Sequence, residues 1–363
     1  MTYVFDRIDI PEKETLYKEA PKAEKLGKLT SKQLDIIYQN RWFHLLVPQS
    51  IGGAEMPLPE FAAMMEKLAA IDGSFAWNVN LGAGANMFAG FMEQNVASET
   101  FKSERACVAG SGAVTGTAKI KDEGYIIDGN WKYASGSAHA NYFSLNAQLV
   151  DSEKDEYASF LVPAKDVKVI DTWKVFGMKA TSSCDFSVSN VWVSKSYRFD
   201  LQKPSSAVQS PLYRFPFMLL AEINMLVMTS GLAIHFYELV EEYAKEKMVG
   251  EKNSKQIPLS NLPRFKEDLN KVSSAFLENR GNVFVLLDKL WQEVCSDRQI
   301  ASDLSDQFSE SIAEAAKATR QLVDTLYPYL GMKVIFTDTE ISRVYRDFKV
   351  ASQHALLSPS LHI

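Results

Sequence analysis

The middle third of the chain follows a different period from its two flanks, and that change constrains the fold more than any other feature. From about Ala106 to Asp200 the sequence breaks into the short runs GYIIDGNWKY, NYFSLNAQLV, EYASFLVP and FSVSNVWVS, divided by glycine and polar residues. Runs rich in β-branched and aromatic residues between turn formers read as strands. Asp128-Gly129, Val162-Pro163 and Asn190 mark turns or bulges, and the runs follow one another too closely to alternate with crossover helices. A barrel-like or sandwich sheet is therefore expected in place of a doubly wound one.

The flanks are helical in pattern. SKQLDIIYQNRWFHLL and PEFAAMMEKLAAI place apolar residues three and four apart, and Pro57 and Pro59 stand where helices begin. After the linker QKPSSAVQSP, four long segments near 213–248, 262–296, 305–331 and 338–357 have the length and polar breaks of an antiparallel bundle. No period of about 20 to 50 residues recurs, so a repeat array is excluded. The chain is expected to be an α+β protein with helices over 1–105, a sheet over 106–200 and a helical bundle over 201–363.

Several function classes drop out. A net charge of −6 with interspersed signs gives no footprint for nucleic acid or an anionic membrane, which leaves small molecules as partners. Three cysteines, Cys107, Cys184 and Cys295, lie far apart, without disulfide or zinc spacing, and fit a reducing cytoplasm. The N-terminus mixes charges without an apolar core and does not read as a signal peptide. The run FPFMLLAEINMLVMTSGLAI contains Glu222 and Asn224, costly in a bilayer, and reads as a buried helix. The glycine clusters LGAGANM and VAGSGAVTG complete no phosphate-binding motif, no histidine pair has metal-ligand spacing, and no nucleophile elbow is present.

The stretches DGNWKYASGSAHANYF and DTWKVFGMKATSSCDFSVSNVWVS, with VPQSIGG and AAIDGSFAWNVN before them, resemble the acyl-CoA dehydrogenase superfamily. The likeness runs from Val47 to His354 and is strongest to the branch of flavin-dependent monooxygenases, which oxygenate small aromatics or heteroatoms with reduced flavin from a separate reductase. It implies an N-terminal helical domain, a central β-barrel, a C-terminal four-helix bundle and a homotetramer. It also implies FAD or FMN between barrel and bundle, with Ser135 facing the ring nitrogen N5. Trp131 and Tyr133 would wall the ring, Gly136 would admit backbone close to it, and Ser137, Thr181, Ser182 and Ser183 would offer hydroxyls to ring or phosphate. Trp77 matches an aromatic beside the active-site cavity.

The stretch YRDFKVASQHALL separates two branches. A dehydrogenase needs a carboxylate base for an α-proton, and on the family pattern Ala355 stands where the usual glutamate would be. The monooxygenase pattern of Arg-Asp followed by Gln-His is matched by Arg346, Asp347, Gln353 and His354. His354 is expected as base or hydrogen-bond partner of the substrate, and Asp347, seven residues away on the helix, is expected to pair with an arginine such as Arg343. The alternative is an acyl-CoA dehydrogenase with Glu222 as base, raised in pKa by an apolar run. A third possibility is a flavin-free binding protein. The dehydrogenases' arginine segment that grips FAD has no match in YAKEKMVGEKNSKQ, which keeps FMN open beside FAD.

Overall fold

The structure is a computed structural model that describes residues 9–152, 156–250 and 256–358; part of YAKEKMVGEKNSKQ, residues 251–255, lies outside them. Five helices occupy the first hundred residues: α1 (Lys13–Leu26), α2 (Ser31–Gln39), α3 (Leu58–Ala69), α4 (Gly73–Asn86) and α5 (Gln94–Thr100). Thr30 caps α2 reciprocally, its hydroxyl accepting the Gln33 N–H while the Gln33 side chain accepts the Thr30 N–H. The expected single helix through Leu46 splits, because Arg41 takes a left-handed φ of 53° and a 3-10 turn at Trp42–His44 follows. Asp72 caps α4 by accepting the Ser74 and Phe75 N–H groups.

The middle third forms a seven-stranded sheet in the order β5-β6-β2-β1-β3-β4-β7. Its strands are β1 (Val108–Lys121), β2 (Gly124–Ala134), β3 (Tyr142–Leu149), β4 (Tyr157–Pro163), β5 (Lys168–Ile170), β6 (Cys184–Ser194) and β7 (Arg198–Phe199). All pairings are antiparallel except β1 with β3. Among the described residues β5 and β7 stay at opposite edges, so strand pairing leaves the expected barrel open. The sheet nevertheless encloses its own core, in which Trp131, Phe143, Phe160 and Phe186 are buried. The glycine cluster VAGSGAVTG lies in β1, where a side chain has no room: a Cβ at Gly116 would sit 2.2 Å from the Trp131 ring.

Helices α6 (Pro211–Arg214), α7 (Phe217–Glu246), α8 (Pro263–Cys295), α9 (Ser302–Leu326) and α10 (Glu340–Ala351) complete the chain, with a two-stranded ribbon of β8 (Met248–Val249) and β9 (Ile257–Pro258) between α7 and α8. Apolar on most of its circumference and long enough to cross a membrane, α7 is instead the central helix of this part, packed against α3, α9 and α10. Its junction with the first helices is close: a Cβ at Gly231 would meet the Glu66 carbonyl at 2.2 Å, and one at Gly73 would meet Leu232 at 2.4 Å. Across the same junction Arg280 of α8 binds the buried Glu66 carboxylate in a fork, with bonds of 2.7 to 3.0 Å.

Candidate functional site

The end of β2 carries the first group of predicted residues. A bulge sets their directions: Trp131 pairs with Phe186 and Ala134 with Cys184, so three steps on β2 answer two on β6. Tyr133 absorbs the extra residue with a left-handed φ of 66°. Trp131 therefore turns into the sheet's core, fully buried, stacked on Phe186 and donating its indole N–H to the Asn146 carbonyl at 2.9 Å. This corrects its expected place as a wall of the site. Tyr133 turns outward, 67% exposed, its ring edge-on to Trp173.

Beyond the bulge, Ser135 leaves the strand and meets two other parts of the chain. Its hydroxyl oxygen lies 3.0 Å from the Trp77 indole nitrogen on α4 and 2.8 Å from the Ser183 hydroxyl. Ser183 is in turn 2.7 Å from the Thr181 hydroxyl, which lies 2.8 Å from the Met178 carbonyl. Each hydroxyl has one proton, so the direction of the whole chain is determined. A carbonyl only accepts, so Thr181 donates to Met178; Ser183 must then donate to Thr181, Ser135 to Ser183, and Trp77 to Ser135. Gly136, at φ 79°, donates its N–H to the Thr181 carbonyl at 2.8 Å, and Ser137 donates its hydroxyl to the Ser182 carbonyl at 2.6 Å. These two bonds stitch the end of β2 to the turn before β6.

His354 arrives from the other end of the sequence. It caps the 3-10 turn Ala355–Leu357, its Nδ1 accepting the Leu356 N–H at 3.3 Å, and its ring stands edge-on to Trp77 with centroids 6.0 Å apart. An Nδ1 that accepts carries no proton, so the neutral ring carries it on Nε2. Burial lowers the imidazole below its ordinary pKa, which favours that neutral form. As placed, His354 offers an N–H donor. The base role among its expected functions would require giving up the cap.

Asp347 does not pair with Arg343. The buried carboxylate accepts the Met178 N–H, while Arg343 reaches Glu340 at 3.3 Å. One turn of helix separates the two residues, and Asp347 is on the side of α10 that presses on the 176–178 turn, where a Cβ at Gly177 would lie 2.1 Å from the Arg346 carbonyl. Arg346 holds the same turn through the Phe176 carbonyl at 2.6 Å and pairs with Glu24 of α1. Glu222 is half-buried on α7 and accepts the Ser309 hydroxyl of α9 at 2.7 Å, which gives it a structural partner.

The structure thus unites Trp77, Ser135, Thr181, Ser183 and His354, and separates from them Trp131 and Glu222. Sequence reasoning missed Trp173 and Met178. Trp173 donates its indole N–H to the Met178 carbonyl at 3.0 Å, and Met178, at a left-handed φ of 52°, is where the hydroxyl chain ends. No local motif marks a carbonyl as an anchor. The described residues hold no group of acidic, histidine or cysteine side chains suited to a metal, and the cysteines are free.

No family model matches the chain. An indole-3-acetate monooxygenase of Acinetobacter baumannii is 26% identical over 318 residues, spanning 87% of this chain and 80% of the relative. The oxygenase subunit HsaA of a flavin-dependent monooxygenase from Rhodococcus jostii is 22% identical over 361 residues, spanning 95% and 92%. The chain's relatives are flavin-dependent monooxygenases. In structure, XiaF from Streptomyces sp. in complex with FADH2 and glycerol superposes with a TM-score of 0.87 at 22% identity, covering 96% of this chain and 90% of that one. The resemblance to the monooxygenase branch of the acyl-CoA dehydrogenase superfamily holds in sequence, and the fold is shared with a flavin-binding neighbour.

Proposed function

We propose that this chain is the oxygenase component of a two-component flavin-dependent monooxygenase, which takes reduced FAD or FMN from a separate reductase and oxygenates a small aromatic or heteroatom substrate. The observation that carries the reading is the junction at Ser135, where a one-way hydrogen-bond chain meets Trp77 and a neutral His354, with Ala355 where a dehydrogenase would place its carboxylate. The donor set suits the edge of a flavin ring: converging uncharged hydroxyls, a backbone admitted closely at Gly136, and an indole beside them.

Reduced flavin, when bound, supplies the electrons that split O2, one oxygen atom entering the substrate and the other leaving as water. The chain's residues do the rest. Ser135, Ser183 and Thr181 would hold the ring edge, Trp77 and the apolar face of α4 exclude water, and His354 directs Nε2–H at a substrate oxygen or nitrogen. The finer arrangement, three domains assembled as a cytoplasmic homotetramer, is part of the proposal and is read out by sedimentation equilibrium.

Reduced FAD or FMN mixed with the protein, a panel of phenols and indoles, and labelled O2 tests the function. Product bearing one labelled oxygen is expected for at least one substrate. If the reduced flavin only yields hydrogen peroxide, and an acyl-CoA bleaches bound oxidised flavin without oxygen, the dehydrogenase reading with Glu222 replaces it.

A further inference from the structure

The hydroxyl chain has two ends, and only one lies at the proposed site. At the other end the Met178 carbonyl accepts from the Thr181 hydroxyl at 2.8 Å, from the Trp173 indole at 3.0 Å and from the Thr181 N–H at 3.2 Å. A carbonyl with this many donors fixes the chain's direction only while its residue stays put. Met178 is in a left-handed conformation that ordinary residues avoid at a cost of about 1 to 2 kcal/mol, so something must hold it. The preceding glycine cannot do so by packing a side chain. What holds Met178 is its own N–H, which is bonded to a buried carboxylate contributed by a helix 169 residues further on.

We infer that Asp347 is a positioning residue for the oxygenation site: by binding the Met178 N–H it fixes the turn whose carbonyl anchors the Trp77–Ser135–Ser183–Thr181 chain. The inference rests on the proposed function for its purpose but on the geometry alone for its substance. It also gives the Arg-Asp pair of YRDFKVASQH a division of labour. Arg346 grips the turn's Phe176 carbonyl and anchors it to α1 through Glu24, and Asp347 takes the amide two residues on. Neither side chain touches the Trp77 or His354 ring.

The surroundings of Asp347 make this contact sensitive to pH. Burial pushes its carboxyl up to about 7; the Met178 N–H and Arg343 on its own helix oppose that rise, while Asp72 at the start of α4 and Glu24 on α1 add to it. Arg346 is the adjacent cation on α10, and Lys179 lies 3.9 Å from Glu24 on the turn itself. Below about pH 7 the carboxyl gains a proton and its bond to the amide weakens; above it the ionised form holds the turn more firmly.

Flavin-free protein labelled with 15N at its tryptophan indoles tests this without any turnover. In the wild type, the Trp173 and Trp77 N–H signals should move with a shared midpoint near pH 7. Asp347→Ala should displace both signals and raise the exchange rate of the Met178 amide by about tenfold or more, the scale of one hydrogen bond to a charged group. Asp347→Asn, which keeps an acceptor without a titration, should leave the signals near their wild-type positions and abolish their pH dependence. The inference is overturned if a folded Asp347→Ala leaves both indoles and the Met178 amide unchanged. Should that variant not fold, a pH midpoint that survives in Asp347→Asn overturns it equally. Failure of the oxygenase assignment would appear separately, as a wild type that shows these signals and makes no product.

Discussion

Ser135 has one hydroxyl proton, and in the chain from Trp77 to Met178 that proton is directed at Ser183. To donate to anything else, Ser135 must turn away from Ser183. The two serines, alike in chemistry, therefore differ in consequence. Ser135→Ala removes the group that meets the reacting partner and should lower kcat/KM by on the order of 10²-fold, the usual scale for one preorganised donor. Ser183→Ala frees the Ser135 proton and should cost about tenfold or less. Steady-state product formation measures both, and equal losses would mean that the chain acts as a single unit. His354 permits a similar discrimination. As an Nε2–H donor it is mimicked by glutamine, so His354→Gln should retain most of the activity that His354→Ala loses; a base would be lost in both. Burial sets the sign of its pH dependence: the folded pKa is below the ordinary 6.5, so the ring stays neutral through the neutral range. On acidification the unfolded chain takes up a proton first, so this histidine opposes the folded state as pH falls below about 6.5. An acid limb in the rate profile due to His354 should have its midpoint below 6.5 and vanish in His354→Gln.

Among the elements, α10 matters most for what it presses against. Its backbone at Arg346 comes so near the 176–178 turn that a methyl group at Gly177 would overlap the carbonyl at 2.1 Å. Gly177→Ala should therefore push the turn and α10 apart, costing about 1 to 3 kcal/mol of stability in denaturant titration and displacing Thr181 and Ser183 with it. The sequence announces a glycine there but not its neighbour, and this is the general boundary of what it discloses. Short-range signals were legible: the runs read as strands became β2, β3, β4 and β6, and the four C-terminal segments became α7 to α10 with ends shifted by a few residues. Long-range geometry was not. Strand alternation places Trp131, Tyr133 and Ser135 on one face, and only the left-handed step at Tyr133 sends the tryptophan inward and leaves the serine at the site. Helix periodicity likewise put Asp347 on the right face of α10 without disclosing that an amide, in place of an arginine, waits opposite. The gathering of Trp77, Ser135, Thr181, Ser183 and His354 became legible only through the family pattern, since they span 278 positions from first to last.

At the scale of the whole molecule, that separation has a thermodynamic consequence. Trp77 belongs to the N-terminal helices, Ser135, Thr181 and Ser183 to the sheet region, and His354 to the end of the C-terminal helices, so a ligand in contact with all of them joins parts of the chain that otherwise meet through side-chain packing. A ligand bound only by the folded state stabilises it by RT ln(1 + [L]/Kd), about 2.7 kcal/mol at one hundred times Kd. For a chain of 363 residues this corresponds to a rise in Tm of a few degrees, because each kcal/mol moves a large protein by about 2 °C or less. FAD and FMN, each oxidised and reduced under anaerobic conditions, should be compared by thermal unfolding in the wild type and in Ser135→Ala. Reduced flavin is expected to raise Tm more than oxidised flavin, as suits a protein that receives its cofactor already reduced, and the nucleotide with the larger shift is the one the chain uses. Ser135→Ala should lose most of that shift while unfolding at nearly the wild-type temperature without flavin, since its hydroxyl sits at the end of β2 and outside both apolar cores. A shift that is the same in both proteins would remove Ser135 from the cofactor site, and no shift with any of the four ligands would favour the flavin-free alternative.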